Sequence, residues 1–186
     1  MEIPPDAAEN MFFSSEYASS VYNASSTKFK PSYLLFRSPS EHTINGHHMD
    51  LEMQIIHKAE NYEDIKDDEE DLKYAGIAIL FSVEEFNEID ETKNKTFQDY
   101  FRNFEFDNTE DKEVPFIAFG DVMEAVDYLD RWTYKGSLSE PPCEQYVYWN
   151  VVRTTYPIEL ERFDYFKQYI ESKKEYLGGY KNNRKI

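Results

Sequence analysis

Residues 74–83, YAGIAILFSV, form a near-continuous apolar run of strand length. A strand with one face in water alternates apolar and polar side chains, so a run without that alternation needs both faces covered. The chain must therefore build a sheet carrying layers on both sides, with this strand near its centre. Other segments fit around it. Residues 29–37 and 51–57 (LEMQIIH) read as strands, and Asn45-Gly46 between them is a strong two-residue turn signal, so the three predict a hairpin. Residues 146–154 (YVYWNVVRT) alternate and are rich in aromatic and β-branched side chains, which predicts a further strand.

Helical signals are fewer. Ser82 as cap with Glu85 three positions on predicts a helix over 82–89, aromatic spacing predicts another over 96–106, and 121–129 and 160–172 read as a short helix and a final one. Residues 1–27 mix Pro, Ser, Asn and Ala with isolated aromatics (Phe12, Phe13, Tyr17, Tyr22) and no sustained period, as in an extended arm. Residues 28–186 then make one domain, without internal repeat or linker. The expected class is α+β, mainly β.

Charge narrows the partners. With 37 acidic against 20 basic side chains the formal net charge is -17, a field that repels nucleic-acid backbones and anionic lipid. The acids gather in residues 60–71 (ENYEDIKDDEED) and 107–113, where solvated loops are the ordinary reading. An aromatic content of 17% is that of a chain that folds. Cys143 is the one cysteine, so no internal disulfide forms. The first residues lack the basic flank and apolar run of an export signal, and the longest apolar run, 77–81, is too short to span a bilayer. The expected address is intracellular, the cytoplasm first, with the mitochondrion left open.

Three motifs carry a resemblance. The segment Pro39-Ser40-Glu41-His42-Thr43-Ile44-Asn45-Gly46 runs without a gap into Leu51-Glu52-Met53-Gln54-Ile55-Ile56-His57. Farther on stands Trp132-Thr133-Tyr134-Lys135-Gly136-Ser137-Leu138-Ser139-Glu140-Pro141-Pro142-Cys143, with Trp149 in the next strand and Asn182-Asn183-Arg184-Lys185-Ile186 at the end. Together these resemble the alpha-type carbonic anhydrases from about Tyr33 onward. The resemblance implies a twisted, mostly antiparallel sheet with peripheral helices. In that family zinc is held by a His-x-His pair on one strand and a third His on its neighbour, and residues two apart on a strand do point the same way. The fourth zinc position carries the water that becomes the attacking hydroxide.

In this chain the resemblance places Leu35, Arg37 and Gln54 at the three ligand positions. Leu has no donor atom, Arg is a permanent cation, and an amide is a poor zinc ligand. The family's supporting residues persist: Glu41 matches the carboxylate that orients the gatekeeper hydroxyl, Ser139 the gatekeeper, and Glu52 the carboxylate behind the third ligand. Fold maintenance alone accounts for a retained buried carboxylate. An ion pair of Arg37 with Glu41 or Glu52 would fill the former metal space. His42 and His57 match structural histidines, while His47 and His48, adjacent in a turn, read as a surface pair. Nothing in the sequence brings Cys143 and His57 together as nucleophile and base.

The expectation is therefore a pseudoenzyme without zinc or other cofactor, serving as a structural or interaction subunit of a larger assembly. Only about thirty residues precede the Leu35 position, fewer than the family's early strands require, so a partner polypeptide is expected along the open sheet edge. Nucleic acid and membrane insertion are not expected. Two other classes stay open: a zinc-dependent carbonate dehydratase with ligands supplied from elsewhere, and a small-molecule binding module using Gln54, Ser139 and Glu140.

Overall fold

The computed structural model describes residues 13–14, 22, 24–66, 71–104, 119–141 and 143–176. Among these the fold is α+β and mainly β, a twisted mixed sheet with helices. The long strands are β2 (Lys28–Arg37), β5 (Leu51–Ala59), β6 (Tyr74–Ser82), β7 (Arg131–Ser137) and β8 (Gln145–Pro157), with a short β1 (Phe13–Ser14) at one side. The order is β1-β2-β5-β6-β8-β7. β6 thus lies inside the sheet, and every one of its residues is buried, as its unbroken apolar run requires. Of the expected arm, Phe13 and Ser14 lie opposite Phe29 and Lys28 in an antiparallel pair; most of the remainder lies outside the described residues.

The Asn45-Gly46 turn forms where predicted. Asn45 and Gly46 have φ of 53° and 81°, and they join the two-residue strands β3 (Thr43–Ile44) and β4 (His47–His48). Both turn residues need the left-handed region, which Asn tolerates and Gly enters freely. Ser40 pins the base of this ladder: its N–H donates to the Met49 carbonyl at 2.9 Å, and its hydroxyl accepts from the Met49 N–H at 2.8 Å while donating to the His42 carbonyl at 2.6 Å.

Helices depart from expectation at their ends. Helix α1 is Glu91–Arg102, capped by Asp90, whose carboxylate accepts from the Lys93 N–H at 2.9 Å. Residues 82–89 are not helical, although Ser82 does accept from the Glu85 N–H at 3.1 Å. Asp50 holds the Ser82 hydroxyl at 2.7 Å and the Val83 N–H at 2.8 Å, and Asn87 pairs through backbone and side chain with Thr155. Those bonds fix the segment as a bend followed by irregular chain, so the Ser82 cap signal serves a bend. Helix α2 is Phe119–Ala125 and α3 is Leu160–Tyr176.

The chain divides into two compact units. The first comprises Met1–Leu35, Met53–Ala78 and Arg131–Val151. Its core gathers Phe29, Ala59, Ile65, Leu72, Ala75 and Tyr148, with Tyr22, Tyr62 and Tyr146 against it. Trp149 lies across Gly76 so closely that a Cβ there would stand 2.5 Å from the indole ring. The indole N–H donates to the Ser137 carbonyl at 3.1 Å and the ring stacks on Tyr134, which fixes its orientation. The second unit comprises Phe36–Glu52, Ile79–Asp130 and Val152–Ile186. Its core is aromatic: Phe81 meets Phe97 and Phe101 edge-on, Phe36 meets Phe104 and Phe166, and Tyr156 packs on Phe97.

Candidate functional site

The residues with potential chemistry lie on β2, β5 and the segment between them. Leu35 and Arg37 are two apart near the end of β2, half-buried. Gln54 is buried in β5. Leu35 and Gln54 belong to the first unit and Arg37 to the second. None of the three presents an imidazole or thiolate, and among the described residues no three His, Cys, Asp or Glu side chains stand where they could hold a metal ion. The chain's own residues at the positions the resemblance marks do not fit a zinc ion.

What they make instead is visible in the second unit. Arg37 Nε stands 3.1 Å from Glu41 Oε1, with both side chains largely withdrawn from solvent. The contact is one of charge rather than of an aligned hydrogen bond through Nε. Glu52 is fully buried at the start of β5, and three donors converge on its carboxylate. The backbone N–H groups of Glu41 and His42 reach Oε2 at 2.8 Å each, and His42 Nδ1 reaches Oε1 at 2.7 Å. A buried carboxylate is tolerated where it is hydrogen-bonded in this way. The arrangement ties the segment after β2 to β5.

The other sequence-marked residues do not join it as a reactive group. His57 is buried in β5, its Nδ1–H donating to the Ile55 carbonyl at 3.2 Å, and burial pushes its pKa down to about 4. It is therefore a neutral core residue at ordinary pH. His47 and His48 are exposed on β4, as a surface pair should be, and His48 Nδ1–H donates to the Ser40 carbonyl at 2.6 Å. Ser139 is half-buried, and its hydroxyl has no hydrogen-bond partner among the described residues. Glu140 accepts at its carbonyl from the Cys143 N–H.

Sequence reasoning passed over several polar residues that organise these strands. Asp50 was not singled out, yet it fastens the end of β6. Asn150 donates to the carbonyls of Gly76 and Tyr148 and accepts from Arg131 Nε at 2.8 Å, completing a buried polar cluster in the first unit. A buried Asn in the middle of an otherwise apolar strand pattern was the available signal.

The family profile described as eukaryotic-type carbonic anhydrase matches residues 6–186. The chain is similar to dioscorin dioA3 of Dioscorea japonica, with 30% identity over 63% of this chain and 38% of that protein. It is similar to carbonic anhydrase 3 of Homo sapiens, with 28% identity over 72% of this chain and 49% of that one. Among solved structures, the alpha-carbonic anhydrase from Thermovibrio ammonificans in complex with the inhibitor sulfanilamide superposes with a TM-score of 0.59 and 22% identity, covering 86% of this chain and 59% of that one. This last likeness is one of fold. The chain spans about half the length of the curated relatives it matches.

Proposed function

Because the chain belongs to the eukaryotic-type carbonic anhydrase family, we propose that it is a member without hydratase activity that works as a structural or interaction subunit of a larger assembly. The observation that carries this reading is Arg37 against Glu41 at 3.1 Å. A guanidinium held by a carboxylate stands at a position the family gives to a zinc-binding imidazole, and a permanent cation opposes a metal cation there. Leu35 adds no donor and Gln54 only a neutral amide. Without a metal-bound water of lowered pKa, Leu35, Arg37 and Gln54 themselves offer no nucleophile for carbon dioxide near neutral pH.

What persists supports a scaffold role. Glu52, His42 and the backbone of Glu41 form a hydrogen-bonded cluster whose loss would leave a buried carboxylate without donors. The family's supporting residues are thus retained where they hold the fold, while the metal positions have changed to side chains of other chemistry.

The test is metal analysis of the purified chain together with carbon dioxide hydration. The expected result is zinc far below one per chain and hydration at the uncatalysed rate, also with zinc added. Stoichiometric zinc with hydration would restore the carbonate dehydratase reading, with ligands other than Leu35, Arg37 and Gln54. The subunit role has its own check in the native size of the protein recovered from its source. Recovery as a stable monomer would remove that role.

A further inference from the structure

The second unit leaves large apolar side chains in water at one end. Leu129 is 77% exposed and Phe86 47% exposed, and Tyr128 beside Leu129 is exposed as well. Three hydrogen bonds place the segments that carry them along one side of β8. The Arg153 N–H donates to the Asp130 carbonyl at 3.0 Å, and the Thr155 N–H donates to Asn87 Oδ1 at 2.8 Å, with the Asn87 N–H returning to the Thr155 carbonyl at 2.9 Å. Amides two residues apart on a strand point to the same side, and the repeat is about 7 Å. Asp130 and Asn87 are therefore neighbours on one edge of β8, and Leu129 and Phe86 precede them by one residue each.

The surroundings are acidic. Glu84, Glu85 and Glu88 are exposed around Phe86, and Asp127 is exposed two residues before Leu129. On this edge Arg153 is engaged by Asp130 at 3.2 Å. Apolar side chains rimmed by charge of one sign are the anatomy of a docking surface, and the sign specifies the partner.

We propose that this end of the second unit docks a basic amphipathic protein segment, whose apolar side chains cover Leu129 and Phe86 while its Lys or Arg side chains meet Glu84, Glu88 and Asp127. The proposal names a partner class for the interaction role above and rests on that reading. Peptide binding tests it independently of zinc content and hydration, so either can fail alone.

The probe is a fluorescently labelled Lys/Leu amphipathic peptide, titrated with the full chain and read by anisotropy. Its control is a Lys/Ser peptide of equal charge without the apolar face. The Lys/Leu peptide is expected to bind, and more weakly as salt rises. The double variant Phe86→Ser/Leu129→Ser should lose about tenfold in affinity. Glu84→Gln/Glu88→Gln should lose about threefold and flatten the salt dependence. Glu60→Gln/Glu63→Gln, in the first unit, should bind as the parent does. If the apolar double variant does not fold, the Glu84→Gln/Glu88→Gln result decides. Absence of binding, equal binding of the Lys/Ser peptide, or an equal loss in the Glu60→Gln/Glu63→Gln chain overturns the proposal, since the attraction would then belong to the net charge of -17.

Discussion

The His42 imidazole donates to the Glu52 carboxylate at 2.7 Å, and Glu52 is buried completely. Replacing Glu52 by Leu removes both acceptor oxygens, so the N–H groups of Glu41 and His42 and the His42 imidazole lose their common acceptor. The expected cost is about 2–4 kcal/mol in urea denaturation. A midpoint within error of the parent would mean that this cluster does not secure the segment after β2.

Arg37 and Glu41 should be energetically coupled. Arg37→Leu alone leaves a mostly buried carboxylate without that counter-charge, and Glu41→Leu alone leaves the guanidinium in the same position. A double-mutant cycle with the Arg37→Leu/Glu41→Leu chain isolates the pair from their other contacts, and a coupling of about 1–2 kcal/mol is expected. Zero coupling would take the ion pair out of the case against zinc.

His57 gives stability a definite pH dependence. Its folded pKa is lowered from 6.5 to about 4, chiefly by burial, while the unfolded chain protonates it at the ordinary value. As pH falls from 6.5 toward 4 the unfolded state takes up a proton that the folded state refuses, so stability drops across that window and is complete above it. The loss is on the order of 3 kcal/mol at most. Melting the parent and His57→Gln side by side from about pH 7.5 to about 4 should show the parent losing more, and parallel curves would assign the acid sensitivity to other groups.

Gly76 is required by contact rather than by conformation. A Cβ at this position would overlap the Trp149 ring, so Gly76→Ala should cost about 1–3 kcal/mol, and less when Trp149 is also Leu. Denaturant midpoints of the four chains decide it: an equal cost in both backgrounds would point away from the indole.

The parts of the fold written in local pattern were legible. The unbroken run in β6, the alternation in β8 and the Asn45-Gly46 turn each depend on neighbouring residues alone. The helix predicted at 82–89 does not form because Ser82 is engaged by Asp50, 32 positions earlier in the sequence. The true start of α1 had a signal in Asp90, which the aromatic spacing over 96–106 obscured. At the site, the sequence offered Arg37 as one half of an ion pair, and the structure sets it against Glu41. Which carboxylate Arg37 would meet was not readable, since Glu41 and Glu52 were equally plausible until the donors around Glu52 were known.

The packing of Trp149 over Gly76 also gives the molecule an internal light source. The chain has two tryptophans: Trp149 is 2% exposed, whereas Trp132 is 44% exposed. Acrylamide should therefore quench one population of emission readily and leave the other until unfolding begins. Loosening of the strand around Gly76 then becomes visible as a red shift of the protected emission, in the unmodified protein and without an attached dye.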